Sequence, residues 1–233
     1  MTALITGGTK GIGAAIVQIL LENGIDVHIN ARNLDDLKAQ NSELGQTFAD
    51  RRITYSSNDL ATKEGVQSLI DDYSTEHKTL DILVNNAGVF YPGMTTEEDA
   101  GTLESMIETN LYSAYYLTRG LLPMIKKSQS GHIFNMCSIA SKIAYPNGGS
   151  YSISKFALLG YTKVLREELK EEGIKVTAIL PGATWSNSWA GVDLPESRLM
   201  AARDIAISVW SAIQMSPSAV VEEITIRPQL GDL

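Results

Sequence analysis

Tyr151-Ser-Ile-Ser-Lys155 places a phenol and an ammonium four residues apart. On a helix that spacing puts both side chains on one face. A phenol titrates near 10 in water, too high to serve as a base at neutral pH. A neighbouring ammonium and a positive nicotinamide ring would both favour the phenolate and lower that value. The pair therefore suits proton exchange with a carbonyl or alcohol oxygen. Tyr151 is the acid or base, and Lys155 tunes it and holds the nicotinamide ribose. Ser138 closes an apolar run upstream, where its hydroxyl can reach the same oxygen. Two donors at that point stabilise the alkoxide that develops during hydride transfer. Asn110 offers an amide to hold a water that relays protons to Lys155.

A second group of residues suits a dinucleotide. Thr6-Gly7-Gly8-Thr9-Lys10-Gly11-Ile12-Gly13 follows the first apolar run and opens the first helical pattern. Glycines 7, 11 and 13 let the backbone turn sharply and approach a pyrophosphate at a helix N-terminus. The next expected strand ends Ile29-Asn30-Ala31-Arg32-Asn33, with no acid at its tip. An acid there would accept bonds from the adenosine ribose and repel a 2′-phosphate. Arg32 can instead pair with that phosphate through two charge-assisted bonds, and Lys10 can approach it from the glycine loop. The expected cofactor is NADP(H). Asp59 ends the third strand, where its carboxylate can meet the adenine amino group. Asn85-Asn86-Ala87-Gly88 ends the fourth, with small residues that admit the ribose.

These groups need elements that hold them at one sheet edge. Strand-like runs fall at residues 4–5, 25–30, 52–56, 80–84, 132–137, 175–180 and 223–226. Helical patterns fall at 12–21, 34–48, 63–73, 97–127, 151–172 and 197–214. The 97–127 stretch is expected to break in two, with Pro123 in its final turns, and Gly173 is expected to close the 151–172 helix. Alternation of this kind indicates βαβ crossovers: one α/β domain over residues 1–233, a Rossmann-type doubly wound parallel sheet of about seven strands. Ligands bind such sheets at the carboxyl ends of the strands.

Taken together, Thr6-Gly7…Gly11-x-Gly13, Asn85-Asn86-Ala87-Gly88, Asn110, Ser138, Tyr151-x-x-x-Lys155 and Pro181-Gly182 resemble the short-chain dehydrogenase/reductase family in order and spacing. The resemblance runs over essentially the whole chain. It implies an Asn110–Ser138–Tyr151–Lys155 tetrad, and it matches Lys10 and Arg32 to the NADP-preferring members. It also implies cofactor contacts from Pro181, Gly182, the Thr184 backbone and the Ser186 hydroxyl. The run Ala183-Thr184-Trp185-Ser186 departs from the family's usual aliphatic residue and following threonine. The resemblance further implies a homodimer or homotetramer built on the helices at 102–127 and 151–172. The 184–195 region covers the substrate in this family. Trp185 and Trp189 there suit a flat or apolar ligand, or alternatively anchor a lid or an oligomer contact. That loop and the tail from Val220 to Asp232 resemble bacterial sepiapterin reductases, in which Asp193 would face a pterin.

Composition limits the alternatives. The net charge of −8 and the sequence pI near 4.9 argue against nucleic acid and membrane surfaces as partners. The segment before the glycine loop is too short for a signal-peptide core, so a cytoplasmic location is expected. Cys137 is the sole cysteine and reads as a buried strand thiol. His28, His77 and His132 lack metal-ligand spacing, and no metal is expected. Gly-x-Ser-x-Gly is absent around Ser138, which argues against a serine hydrolase. Two other functions stay open. A 3-oxoacyl-carrier-protein reductase needs basic residues at the cleft mouth, where Arg198 and Arg203 are the only ones on offer. A non-catalytic NADP(H) sensor has no need of the tetrad.

Overall fold

Among the described residues, hydrophobic runs too short for helices become seven strands: β1 (Thr2–Thr6), β2 (Asp26–Ala31), β3 (Ile53–Ser57), β4 (Ile82–Asn85), β5 (His132–Met136), β6 (Lys175–Pro181) and β7 (Glu223–Ile226). The computed structural model describes residues 1–185, 195 and 198–231. All strand pairs are parallel, in the order β3-β2-β1-β4-β5-β6-β7. This is the expected Rossmann-type sheet. The order reverses between β1 and β4, which opens a crevice at their carboxyl ends. Thr6 and Asn85 end those two strands and so stand at that crevice.

Both sheet faces are covered, which is why the central strands read as unbroken apolar runs. One face packs Ile5, Ile29, Val84 and Phe134 against Ile16 and Leu20 of α1 (Gly11–Glu22), Leu37 of α2 (Leu34–Thr47) and Val209 of α7 (Ala202–Ile213). The other packs Leu4, Leu83, Ile133 and Val176 against Leu69 of α3 (Lys63–Glu76), Leu121 of α5 (Ser113–Ile125) and Leu165 of α6 (Gly149–Leu169). Each such side chain contributes roughly 1.5–3 kcal/mol by leaving water. The sheet edge that carries the polar residues is therefore held rigidly.

Three boundaries differ from the sequence expectation for local reasons. The 97–127 stretch does not become helical until α4 (Thr102–Ile107), because Gly101 before it sits at φ 91° in the left-handed region. It then continues through a π-helical turn, Glu108–Tyr112, into α5, which accommodates Pro123 near its end. The 197–214 helix starts only at Ala202. Met200 is instead tied to the end of β6, accepting from the Trp185 N–H at 2.8 Å and donating to the Ala183 carbonyl at 3.1 Å. The 151–172 helix begins at Gly149 and gives way to a 3-10 turn, Lys170–Glu172, before Gly173 closes it at φ 71°.

Two histidines in the strands, His28 and His132, are buried and hydrogen-bonded. His28 meets the hydroxyls of Thr54 and Ser56, both at 2.9 Å. His132 Nε2 lies 2.7 Å from the Thr177 hydroxyl. Burial holds both rings near pKa 3, with His77 lowering His28 and Lys175 lowering His132 further.

Candidate functional site

The glycine loop is laced to β4 by hydroxyl and amide bonds. The Thr6 hydroxyl accepts the backbone N–H groups of Asn86 and Ala87, both at 2.9 Å. The Asn86 amide donates back to the carbonyls of Thr6 at 2.9 Å and Gly7 at 3.1 Å. A Cβ on Gly13 would stand 2.2 Å from the Gly7 oxygen, so only glycine permits this crossing. Ile12, between Gly11 and Gly13, packs against the core beneath. No side chain caps α1 at Lys10, and its first turn holds no acid. The orphan N–H groups of that helix start, together with its positive dipole end, fit a pyrophosphate.

Asn85 and Asn86 face opposite ways. The Asn85 side chain is buried on the α5 side, donating to Thr118 Oγ1 at 3.1 Å and Asn135 Oδ1 at 2.8 Å. Its side chain is therefore committed to the α5 side of the sheet. The period of two was the available signal, because it puts Asn85 on the same face as Leu83.

At the tip of β2, Arg32 is exposed, and its carbonyl accepts the Ser57 hydroxyl at 2.9 Å. Lys10 is not a solitary cation: its Nζ pairs with Asp36 of α2 at 2.6 Å. Asp59 is exposed, with Oδ1 taking the Ala61 N–H at 3.1 Å in the turn before α3. Pro181 ends β6, and the Gly182 N–H donates to the Ile226 carbonyl at 2.7 Å. Thr184 is buried, and its hydroxyl donates to the Gly182 carbonyl at 3.0 Å. Trp185 is 37% exposed. Ser186, Trp189 and Asp193 lie outside the described residues.

The other four residues converge at the carboxyl ends of β4 and β5 and the start of α6. Ser138 caps a 3-10 turn, Ile139–Ser141, accepting the Ala140 N–H at 3.1 Å. Tyr151 lies in the first turn of α6, with the Ser138 side chain near enough to its phenol to favour the phenolate. Burial raises the phenol above its ordinary value, and the Ser138 side chain opposes that rise. The sequence expectation was a lowered value. That expectation includes the positive nicotinamide ring, which only the bound cofactor supplies.

Lys155 Nζ donates to the Met136 carbonyl at 2.8 Å and stands 5.7 Å from the centroid of the Tyr151 ring. Burial lowers its pKa to about 8. Asn110 sits in the π-helical turn, a geometry frequent at functional sites. Its Oδ1 accepts the Val89 N–H at 2.8 Å, and its amide donates to the Val89 carbonyl at 3.0 Å and to Ser154 Oγ at 2.9 Å. Gly88 fits against the same group, since a Cβ there would lie 3.1 Å from Asn110 Oδ1 and 3.6 Å from Lys155 Nζ. Two loop aromatics that no pattern predicted stand beside the phenol. Phe90 packs edge-on against the Tyr151 ring, with centroids 4.8 Å apart. Tyr145 is raised to about 12 by burial and by its neighbour Tyr151.

The short chain dehydrogenase family model matches residues 1–195. The chain belongs to this family. Among curated relatives of this short-chain dehydrogenase, an uncharacterised oxidoreductase of Staphylococcus saprophyticus is 31% identical over 229 residues, covering 97% of this chain and 96% of the relative. Its fold is similar to the alcohol dehydrogenase of the archaeon Thermococcus sibiricus, solved with 5-hydroxy-NADP: the TM-score is 0.91 at 25% identity, covering 98% of this chain and 96% of the other. It is also similar to L-sorbose reductase of Gluconobacter frateurii, solved with NADPH and L-sorbose, at a TM-score of 0.89 and 25% identity, covering 97% and 95%. Among the described residues no group of three His, Cys, Asp or Glu side chains could hold a metal ion, and no helix is long and apolar enough to cross a membrane.

Proposed function

We propose that residues 1–233 act as one NADP(H)-binding catalytic domain that moves hydride between nicotinamide and a carbonyl or alcohol carbon. The observation carrying this reading is the Lys155 ammonium 5.7 Å from the Tyr151 ring centroid, with Ser138 near enough to the phenol to favour its ionised form. The cofactor would supply or accept the hydride. In the reductive direction Tyr151 gives its proton to the substrate oxygen, while Ser138 donates a hydrogen bond to the same oxygen. Both amide protons of Asn110 are taken, so a relay water on the way to Lys155 would donate to an Asn110 oxygen.

Support for NADP(H) comes from Arg32 at the tip of β2, the uncapped start of α1, and the NADP-type ligands of the two structural neighbours. Lys10 would assist by exchanging Asp36 for the phosphate. The substrate is a small carbonyl compound with an apolar or flat body, since Phe90, Tyr91, Tyr145 and Trp185 expose rings on the loops beyond the sheet edge. Sepiapterin is one candidate of that shape. A homodimer or homotetramer through α5 and α6 fits the exposed Tyr112, Ile153, Phe156 and Val164. A cytoplasmic setting suits Cys137, held as a buried free thiol.

The carrier-protein reductase alternative is weakened. Arg203 pairs with Glu22 at 2.9 Å, and Arg198 donates to the Gly231 carbonyl at 2.8 Å. Neither cation is held for an acidic carrier. The decisive assay follows NADPH oxidation with diacetyl, sepiapterin and other dicarbonyls. Turnover supports the oxidoreductase reading; tight NADPH binding with none turned over supports a sensor.

A further inference from the structure

The catalytic helix starts without a cap of its own. Gly148 precedes α6 and offers no side chain to its amides, yet Tyr151 follows two residues after the first helical position. The cap comes instead from 52 residues upstream. Glu98 Oε1 accepts the Ser150 backbone N–H at 2.9 Å, and Oε2 accepts the Ser150 hydroxyl. A carboxylate at a helix N-terminus meets both orphan N–H groups and the positive dipole end.

The seat is shaped for this one group. A Cβ on Gly149 would stand 2.1 Å from Glu98 Oε1 and 2.4 Å from the Gly93 carbonyl. A Cβ on Gly93 would stand 2.9 Å from Glu98 Cγ. The backbones also meet here: the Gly93 N–H donates to the Asn147 carbonyl at 3.1 Å, and Gly93 pairs with Gly148 in an isolated parallel bridge. Asn147 takes φ 60°, in the left-handed region, to make that approach. The loop that supplies Glu98 also supplies Phe90, which packs on the Tyr151 ring. It lines a cleft of about 710 Å³ with Tyr91, Met94 and Asn147.

We propose that Glu98 is a positioning residue for Tyr151. It joins the 89–101 loop to the first turn of α6, so that the substrate-side wall and the phenol hold one geometry. This rests on the reading of Tyr151 as the proton donor. It requires no contact between Glu98 and substrate.

The test compares Glu98→Ala, Glu98→Gln, Ser150→Ala and Tyr151→Phe in the full chain, with diacetyl as the probe substrate. It measures kcat, KM, NADPH dissociation constant and melting temperature. Glu98→Ala is expected to lower kcat at least about tenfold, because small misplacements at a reacting centre cost that much or more. Its NADPH affinity should stay within about twofold of wild type, since the glycine loop is untouched. Glu98→Gln keeps an acceptor for the Ser150 N–H and should recover most of kcat. Ser150→Ala removes the hydroxyl arm alone and should fall between wild type and Glu98→Ala. The proposal is overturned if Glu98→Ala keeps wild-type kcat, if its kcat and NADPH affinity fall in proportion, or if Glu98→Gln recovers nothing. Should Glu98→Ala fail to fold, Glu98→Gln and Ser150→Ala decide by the same criteria. An active Tyr151→Phe would remove the reading beneath the proposal; an inactive Tyr151→Phe beside a fully active Glu98→Ala would remove the proposal alone.

Discussion

Lys155 Nζ reaches the Met136 carbonyl at 2.8 Å while standing 5.7 Å from the Tyr151 ring centroid. The ammonium is thus fixed by the end of β5 and lies beneath the ring. Its burial lowers its pKa from 10.5 to about 8. Between those two values the unfolded chain binds more protons at this residue than the folded one, so its contribution to stability grows as pH rises. The difference in unfolding free energy between wild type and Lys155→Met should therefore shift toward wild type from pH 8 to 10. The slope should be at most about 1.4 kcal/mol per pH unit. Denaturant titrations across that range check this; a difference that does not change with pH would mean Lys155 titrates as if exposed.

His28 and His132 carry the opposite end of the pH scale. Both are held neutral by burial, near 3. Their stabilising contribution is complete above the unfolded value of 6.5 and is lost as pH falls toward the folded one. Unfolding midpoints in urea should decline steadily from pH 6.5 toward 4. His132→Gln, which can still meet Thr177, should show a shallower decline than wild type. Identical pH curves for the two proteins would contradict the assignment.

Arg32 and Asp36 bear on cofactor choice from opposite signs. If Arg32 holds the 2′-phosphate as proposed, Arg32→Asp should remove a charge-assisted bond worth roughly 1.5–3 kcal/mol, which is about one to two orders of magnitude in NADPH affinity. NADH, lacking the phosphate, should bind as before or better. Asp36→Asn frees Lys10 from its 2.6 Å partner and should tighten NADPH without changing NADH. Isothermal titration of both cofactors checks each variant. Unchanged NADPH affinity in Arg32→Asp would mean that the phosphate is held elsewhere.

Much of this was legible in the sequence because it depends on local spacing. Leu4-Ile5 before Thr6-Gly7 and the four-residue gap from Tyr151 to Lys155 both fix geometry within a few residues. What was not legible depends on contacts distant in the chain. The π-helical turn at Asn110 has no signature in residue type, and Glu98 meets Ser150 across a bridge between two glycine-bearing loops. Asn85 and Asn86 were adjacent and alike in type, and only the strand's alternation separates the one beneath the sheet from the one at the loop.

Tyr151→Phe tests the central claim most directly, because it removes one hydroxyl and leaves the ring against Phe90. If Tyr151 supplies the proton, NADPH oxidation with the best dicarbonyl substrate should fall about 10²–10⁴-fold. NADPH binding, proposed to rely on the glycine loop and Arg32, should stay nearly intact in the same preparation. Activity above a tenth of wild type, with the cofactor still bound, would contradict the assignment and require a different acid.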